Sequence, residues 1–560
     1  MFEDSILEVL SQRTGFTSTG GTSSGGLRQL VLKKPYELFP HQITAVMFMK
    51  MRERESRHGI RGGHLCLLMG LGKTLISVAH SLTSKKGETP TLIVCSKSLM
   101  MEWKEEGFEK FFEGVKVLYV HSDFIKKDEL AKLTPATYLN YDFVVTTYDV
   151  LKSAFVSDAA LSEDISVYKT QKYSVDKKRS LFTIRKRNEN DIAKASASAS
   201  GASRGIASLF YVKWERCIAD ESHTYVNSDT YVFKAMMSIV AKYMWGMSGT
   251  WIRNEVDDIF SQLRVIGYES QDVQTVSDWS KRGMSEYYRE KLGECILHMD
   301  YEEAGIKMPR LVEKIVSVKM GPRHATLYSQ AHSFISKNTA TGAFTYANMF
   351  GMLMRLRQIS VAPSLIFSEE KDCSKIPGFE IDERLLNDHD LEATVNCAKM
   401  LELVKLIKSF NGDKFIIFTS YCSVQKLVQQ TINYHLPQTS IHCIDGSTPM
   451  NERKAIINDV KTNDDIQGVC MTFKVGSEGI NLQTANNVII IDPWWSPCVH
   501  QQAIQRSWRM GQTRDVSVYY LISKNTIEEK ILEVCNEKKV VAGTIAETSM
   551  TAELIKKILF

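Results

Sequence analysis

Leu65-Cys66-Leu67-Leu68-Met69-Gly70-Leu71-Gly72-Lys73-Thr74 passes from an apolar, strand-like run through two glycines to a lysine and a threonine, and Leu75 to Leu82 continues in a helical pattern. A phosphate cradle requires this order. Glycines let backbone N–H groups close around the phosphates, Lys73 supplies a point charge to the β/γ oxygens, and Thr74 offers its hydroxyl to Mg²⁺. The full pattern carries a glycine five positions before Gly72, where Leu67 stands. Taken alone, the stretch leaves two readings open: a phosphate loop, or a glycine-containing turn before a helix.

Two distant segments bear on that choice. Cys217-Ile218-Ala219 leads directly into Asp220-Glu221-Ser222-His223. Adjacent acids after a short apolar strand are often no more than the start of a loop. Downstream of Gly-Lys-Thr they are the arrangement that puts one carboxylate on Mg²⁺ and the next beside the attacking water, with Asp220 as the metal partner and Glu221 as the general base. In Gln502-Ala503-Ile504-Gln505-Arg506-Ser507-Trp508-Arg509, Arg506 and Arg509 share a helical face. Such a pair is commonly a surface feature. Docked from a second lobe it can stabilise charge on the γ-phosphate in the transition state, a role worth about 10³–10⁵ in rate.

The surrounding chain supplies the framework. Leu92-Ile93-Val94-Cys95, Phe143-Val144-Val145-Thr146 and Cys217-Ile218-Ala219 alternate with helix-like stretches, and a second such rhythm begins at Lys414, with Phe415-Ile416-Ile417-Phe418, Val488-Ile489-Ile490-Ile491 and Val516 to Leu521 as its strands. Strands alternating with helices predict parallel α/β sheets that bind ligands at their carboxyl ends. The expected organisation is a flexible segment over 1–30 and a first lobe over 31–270 with an insertion at 158–210. Helical insertions and linker over 271–410 include the start of a second lobe; that lobe continues over 411–545, with a tail at 546–560. The insertion carries Lys177, Lys178, Arg179, Arg185, Lys186 and Arg187 and an Ala/Ser run from Ala193 to Ser203. It is expected to be partly disordered, its charge either solvated or in contact with nucleic acid.

Composition narrows the class. With 560 residues the chain exceeds one ordinary core, and its 44% hydrophobic and 24% charged content is that of a soluble globular protein. A net charge of +4 permits nucleic-acid binding without arguing for it. The eleven cysteines include no CxxC pair and are expected as buried free thiols, a metal or disulfide role being the alternative. No apolar run reaches the roughly 18–20 residues of a membrane span. The acidic start Met1-Phe2-Glu3-Asp4 lacks the form of a secretory signal. An intracellular protein with no membrane partner is expected.

The motifs together resemble the Swi/Snf-type DNA-translocating ATPases of helicase superfamily two, over Leu38 to about Lys539. Leu38-Phe39-Pro40-His41-Gln42 is similar to the family's adenine-reading segment, with Gln42 as the base contact. Leu92 to Trp103 and Asp142 to Leu151 resemble the motifs that follow, and Met247-Ser248-Gly249-Thr250, with Asn254 and Asp258-Ile259-Phe260, the coupling motif. In the second half the matching stretches are Met308-Pro309-Arg310 with Val316-Ser317-Val318, then Leu356-Arg357-Gln358-Ile359, and Asp445-Gly446-Ser447-Thr448 with Arg453. Gly476-Ser477-Glu478-Gly479-Ile480-Asn481-Leu482, Asp492-Pro493-Trp494-Trp495-Ser496-Pro497 and Arg506 to Gln512 form the most specific run. Three positions depart from the family. Leu67-Leu68 stand where Asp-Glu is usual, Trp251 follows Thr250 in place of proline, and Ser222 replaces an alanine.

The resemblance implies an α/β fold of two RecA-like parallel-sheet lobes with helical insertions between and within them. It implies ATP and Mg²⁺ as cofactors. ATP would be held by Gln42, Met69, Gly70, Leu71, Gly72, Lys73, Thr74 and Gly479, the metal by Thr74 and Asp220, and catalysis would involve Lys73, Asp220, Glu221, Arg506 and Arg509. Lys97, Ser98, Ser248, Thr250, Thr472, Lys474 and Trp495 are the implied nucleic-acid contacts, with Trp495 equally readable as core. The implied activity is translocation on double-stranded DNA, held mainly through phosphates, with weak or absent unwinding. The expected chain is a monomer in the nucleus, or in a virion or host cell. Its compactness resembles the ATPases of large DNA viruses, including the poxvirus nucleoside triphosphate phosphohydrolase type. Rival readings are a strand-separating helicase on DNA or RNA, a nucleotide-binding scaffold without hydrolysis, and an ATPase that displaces a polymerase or another DNA-bound protein.

Overall fold

The computed structural model describes residues 32–33, 36–55, 62–84, 89–158, 205–249, 257–267, 295–341, 345–367, 394–476 and 480–542. The segment 1–30, the basic cluster and Ala/Ser run of the insertion, and the tail 546–560 lie outside them. So do Thr250, Trp251, Asn254 and Gly479.

The first sheet takes β1 (Gly62–Leu67), β2 (Thr91–Cys95), β3 (Val117–Val120), β4 (Phe143–Thr147), β5 (Lys213–Asp220), β6 (Val240–Met247) and β7 (Ile296–Met299), in the order β3-β4-β2-β5-β6-β1-β7. The second takes β8 (Leu311–Val318), β9 (Phe415–Thr419), β10 (Ser440–Ile444), β11 (Ile466–Thr472), β12 (Asn487–Ile490) and β13 (Val516–Ser523), in the order β10-β11-β9-β12-β13-β8. Every pairing is parallel. The fold is therefore α/β, with two parallel-sheet lobes.

Side-chain alternation explains why the central strands are apolar throughout. In β2, Leu92 and Val94 enter the core on one face while Ile93 and Cys95 enter the core on the other. In β9, Phe415 and Ile417 divide in the same way from Ile416 and Phe418. A strand covered by helices on both faces has no polar side to expose. The cysteines among the described residues are free thiols, and all but Cys422 and Cys443 are buried. No helix among the described residues is long and apolar enough to cross a membrane.

β7 joins the first sheet beside β1, and β8 belongs to the second, beside β13. The passage between the two sheets is thus the run 300–310, inside the 271–410 segment that the sequence reading gave to insertions, linker and the start of the second lobe. Helices Pro322–Ala340, Tyr346–Val361 and Ala398–Ser409 follow β8 and pack on the second lobe. Their amphipathic pattern resembled inserted material because a covering helix and an inserted helix have the same apolar periodicity.

Buried ion pairs pin each lobe. Glu53, near the end of helix Pro40–Arg54, receives Nε and Nη2 of Arg216 (2.7 and 2.6 Å), Nε2–H of His80 (2.8 Å) and Nε1–H of Trp245 (3.1 Å). One carboxylate thereby ties that helix to β5, β6 and helix Lys73–Thr83. In the second lobe Arg357 donates to Asp492 (3.1 Å), Ser420 (2.7 Å), Tyr421 (3.1 Å) and the Pro493 carbonyl (2.9 Å). Its guanidinium lies 4.7 Å from the Trp494 ring centroid. Lys399 pairs with Glu528 at 2.6 Å.

Burial alone would raise the Glu53 carboxyl, but hydrogen bonds and charge from His80 and Arg216 outweigh it and hold it at about 2, against an ordinary 4.5. A depressed carboxyl contributes stability that is fully present above its unfolded value and lost as pH falls toward its folded one. Glu53→Gln should therefore lower first-lobe stability by about 2–3 kcal/mol at pH 7. The parent should lose the difference between pH 4.5 and about 2. Denaturant midpoints at neutral and acid pH measure this; a variant as stable as the parent at pH 7 would sink the assignment.

Candidate active site

Strand order and register assemble the site. Leu65 of β1 and Asp220 of β5 both stand opposite Met247 of β6, so the ends of the three strands form one row. The loop after β1, the acids at the end of β5 and Ser248 after β6 therefore emerge side by side, at the carboxyl edge where parallel sheets bind ligands.

The loop is built for close approach. Gly70 and Gly72 have φ of 87° and 82°, a backbone that side chains disfavour. A Cβ on Gly72 would come within 2.3 Å of Gln42 Nε2. Lys73, the first residue of helix Lys73–Thr83, donates Nζ to the Leu67 carbonyl at 2.8 Å and more weakly to that of Leu68 at 3.5 Å, which keeps the ammonium over the loop. Thr74 packs against Gly107, where a Cβ would lie 2.8 Å from Thr74 Cγ2. Gln42 sits behind the loop, donating to the Leu71 carbonyl at 3.4 Å. Tyr301 donates to the Met69 carbonyl at 2.7 Å.

Asp220 and Glu221 are held in opposite ways. Asp220 is buried. Its Oδ2 accepts Nε1–H of Trp103 at 2.9 Å, its Oδ1 accepts the Glu221 N–H at 3.0 Å, and its carbonyl accepts the Tyr148 hydroxyl at 2.7 Å. Burial, then the neighbouring Glu221 carboxylate, push its carboxyl up; Lys73 and Trp103 oppose the shift. Glu221 occupies a left-handed backbone at φ 51°, ψ 57°, a strain of about 1–3 kcal/mol for a non-glycine residue. Thr224 pins that turn by donating N–H (2.9 Å) and Oγ (2.8 Å) to the Glu221 carbonyl. Burial would raise the Glu221 carboxyl, but His223 at 3.2 Å and the charges of Lys73 and Arg506 hold it below its ordinary range. It is thus ionised at neutral pH and able to orient water.

The second lobe closes over the loop. A Cβ on Gly70 would lie 3.6 Å from the Met510 nitrogen and 3.7 Å from Arg509 Cβ. Arg506 Nη2 is 3.6 Å from Met69 Sδ, and Trp508 donates to the Pro309 carbonyl at 2.8 Å while meeting Tyr301 edge-on. Beside the loop, Lys454 of the second lobe pairs with Glu105 of the first. Lys73, Asp220, Glu221, Arg506 and Arg509, which the sequence places far apart, converge here.

The donor set fits Mg²⁺. A hydroxyl and one or two carboxylates, with the remaining positions left to water and phosphate, are what that ion takes. Thr74 and Asp220 are the residues that would hold it. Among the described residues no cluster of three or more His, Cys, Asp or Glu forms an all-protein metal cage.

The candidate nucleic-acid residues divide. Lys97 is 59% exposed and pairs with Asp123 at 3.1 Å. Ser98 bonds to Ser96, Thr472 is buried at the end of β11, and Lys474 is exposed. Two of them are buried. Ser248 is 1% exposed; its hydroxyl lies 3.1 Å from His223 Nδ1 and donates to Glu221 at 3.4 Å, which places it beside the carboxylate. Trp495 is 4% exposed. Its ring is stacked on Trp494 at 3.8 Å, met edge-on by Phe350 and approached by Arg357, which leaves no face for a base. The sequence reading also missed several residues. Trp103 stood at the end of a recognised motif, and His223 next to the acids. Gly107 and Tyr301 carried no signal, because only packing brings them to the loop. Glu102 is pushed up by burial, while Arg506, Arg509 and Lys73 pull it the other way.

Comparisons with known proteins bear on the family of the chain. An SNF2-related domain matches residues 41–365 and a helicase conserved C-terminal domain residues 398–511. The chain is 33% identical to the protein designated helicase 172L of Invertebrate iridescent virus 6, over 93% of this chain and 92% of that one. It is 24% identical to the ATP-dependent helicase FUN30 of Saccharomyces cerevisiae over 88% of this chain, but spans only 46% of that protein. It is also 24% identical to the DNA excision repair protein CSB of rice, of which it spans 42%. A solved structure of the Sulfolobus solfataricus SWI2/SNF2 ATPase core in complex with dsDNA is 26% identical over 92% of this chain and 94% of that one, with a TM-score of 0.38.

Two substitutions test the assignments. Trp103→Phe keeps the packing but removes the donor to Asp220, and kcat should fall about tenfold or more, the cost of leaving a buried acceptor unsatisfied. Ser248→Ala should lower kcat by a similar factor with nucleic-acid affinity unchanged. A loss of affinity with kcat intact would return Ser248 to the polymer-binding face.

Proposed function

We propose that this chain, which belongs to the SNF2-related family of helicase-like ATPases, is an ATP-driven translocase on double-stranded DNA. The observation that carries the reading is the division of one hydrolytic site between two lobes. Lys73, Asp220 and Glu221 come from the first, while Arg506 and Arg509 reach it from the second across Gly70. A site complete only when the lobes are together couples hydrolysis to their separation, and repeated closure and opening is what a motor on a polymer requires.

The residues divide the work. Glycine-loop N–H groups and Lys73 bind the β- and γ-phosphates, and Glu221, ionised and aimed by Thr224, Ser248 and His223, orients the attacking water. Arg506 and Arg509 stabilise charge that develops on the transferred phosphoryl group. Thr74 and Asp220 would hold Mg²⁺, which would supply positive charge beside the phosphate oxygens. The relatives named as a helicase and as a DNA excision repair protein favour DNA as the polymer. Lys97 and Lys474, exposed beyond the carboxyl ends of β2 and β11, suit sequence-blind phosphate contact. The work done is movement along intracellular DNA, or displacement of a polymerase or other protein bound to it, by a single chain.

The test is steady-state ATP hydrolysis by the parent and Glu221→Gln with no nucleic acid, duplex DNA, single-stranded DNA or RNA. Duplex DNA should stimulate most, and the variant should lose about a hundredfold or more. Stimulation only by single strands or RNA would replace the translocase with a strand-separating helicase. ATP binding with no hydrolysis under any condition would leave a scaffold.

A further inference from the structure

Two cysteines face each other across the outermost strand pair of the second sheet. Cys443 of β10 stands in register with Cys470 of β11, and the two strands run parallel. Residues in register put their side chains on one face of a sheet. Here that face is the core lined by helix Cys422–His435, where Cys470 is fully buried and Cys443 packs against it. The other cysteines in strands lack this pairing. Cys66 stands opposite His298, Cys95 opposite Thr147, and Cys217 opposite Leu92 and Met244. Neighbouring strands lie about 4.7–4.9 Å apart, inside the Cα separation of about 4.4–6.8 Å that a disulfide spans. The backbone is already placed for the bond.

The two sulfurs differ in reach and in chemistry. Cys443 is half-buried on an edge strand, whereas Cys470 is 0% exposed behind it. Cys470 donates its S–H to the Cys443 sulfur, which holds Cys443 below the ordinary thiol range against burial and the Asp445 carboxylate. Burial, then the same contact with Cys443, drives Cys470 well above that range. An accessible sulfur with thiolate character, backed by a second cysteine, is the arrangement that takes up one oxidation and resolves it. Cys422 is also half-buried, but it begins a helix and stands in no strand register.

From the register and the burial we infer that Cys443 and Cys470 are a modification site, oxidised by a hydroperoxide to a disulfide that ties the edge strand of the second lobe to its neighbour. With hydrogen peroxide, the Cys443 sulfur attacks one oxygen and the O–O bond breaks, leaving Cys443 as a sulfenic acid and releasing one water. The Cys470 sulfur then attacks the Cys443 sulfur. The S–O bond breaks, the S–S bond forms, and the hydroxyl departs with the Cys470 proton as a second water. Two thiols are oxidised and one peroxide is reduced. The bond would join the strand that enters the turn 445–448 to the strand that ends at Thr472, next to Lys474. Small-molecule thiols reverse it, as expected of an intracellular disulfide.

The test treats the whole protein with hydrogen peroxide, counts thiols after denaturation and maps peptides without reductant. Titratable thiols should fall from eleven to nine, the linked peptides should carry Cys443 and Cys470, and dithiothreitol should restore the count. Hydrogen exchange over residues 440–444 should slow about tenfold or more in the oxidised protein and recover on reduction, because a tied edge strand frays less. Cys470→Ala should give no cross-link and stop Cys443 at the sulfenic acid, captured as its adduct with a cyclic dione. The parent mapping stands whether or not that variant folds. An unchanged thiol count, a link to any other cysteine, or Cys443 carried on to sulfinic acid in the parent would overturn the inference.

Discussion

Two carboxylates on consecutive residues, at the end of a buried strand, repel each other and both resist leaving water. The active edge of the first lobe is arranged around holding Asp220 and Glu221 together. β5 stays extended through Asp220, and the chain then turns left-handed at Glu221, which redirects the backbone between the two acids. Different partners then set different charge states. Asp220 receives only neutral donors at its carboxylate, from Trp103 and the Glu221 amide, and burial prevails. Glu221 faces His223, Lys73 and Arg506, and positive charge prevails. Side by side, one group is kept ready to gain from a cation and the other is kept ionised.

The cost of that arrangement explains the structure's less obvious parts. The wide-turned helical segment Trp103–Glu109 lies beneath the loop, and such turns recur at functional sites because they displace a side chain from ordinary helical register. Here they let Trp103 reach Asp220 while Gly107 makes room for Thr74. The Glu53–Arg216 pair fixes β5 against the helix that carries His41 and Gln42. A structural salt bridge in the middle of β5 thus helps hold the register that presents the acids at its end.

The two-lobe α/β architecture was legible in the sequence because strands buried on both faces leave uninterrupted apolar runs. The phosphate loop and the acids were legible because their chemistry admits few residue types. Lys73, Asp220, Glu221, Arg506 and Arg509 were all named from such constraints, and the structure brings them to one place. Packing relations were not legible. β7 is a four-residue strand with no pattern of its own, and it belongs to the first sheet because β1 offers a free edge. Ser248 and Trp495 were candidate polymer contacts through the family resemblance, Trp495 equally readable as core, because a hydroxyl or a tryptophan in a motif is compatible with either solvent or core. Their burial is decided by Glu221 in one case and by Arg357 and Phe350 in the other, residues distant in sequence.

The same distinction settles what the departures at Leu67 and Leu68 do to the loop. Leu67 is fully buried, in the core it shares with Leu71, Leu75 and Ile76. The contacts these positions make to the site pass through the backbone: their carbonyls accept Lys73 Nζ, and the Leu68 N–H donates to the Met299 carbonyl at 3.1 Å. Backbone groups are indifferent to whether the side chain is acidic or apolar. An acidic residue at 67 would carry an uncompensated charge into that core, at a cost of several kcal/mol, whereas leucine adds apolar burial to it. What Leu67 contributes in this chain lies in the core, and the groups that these two positions present to Lys73 are backbone carbonyls.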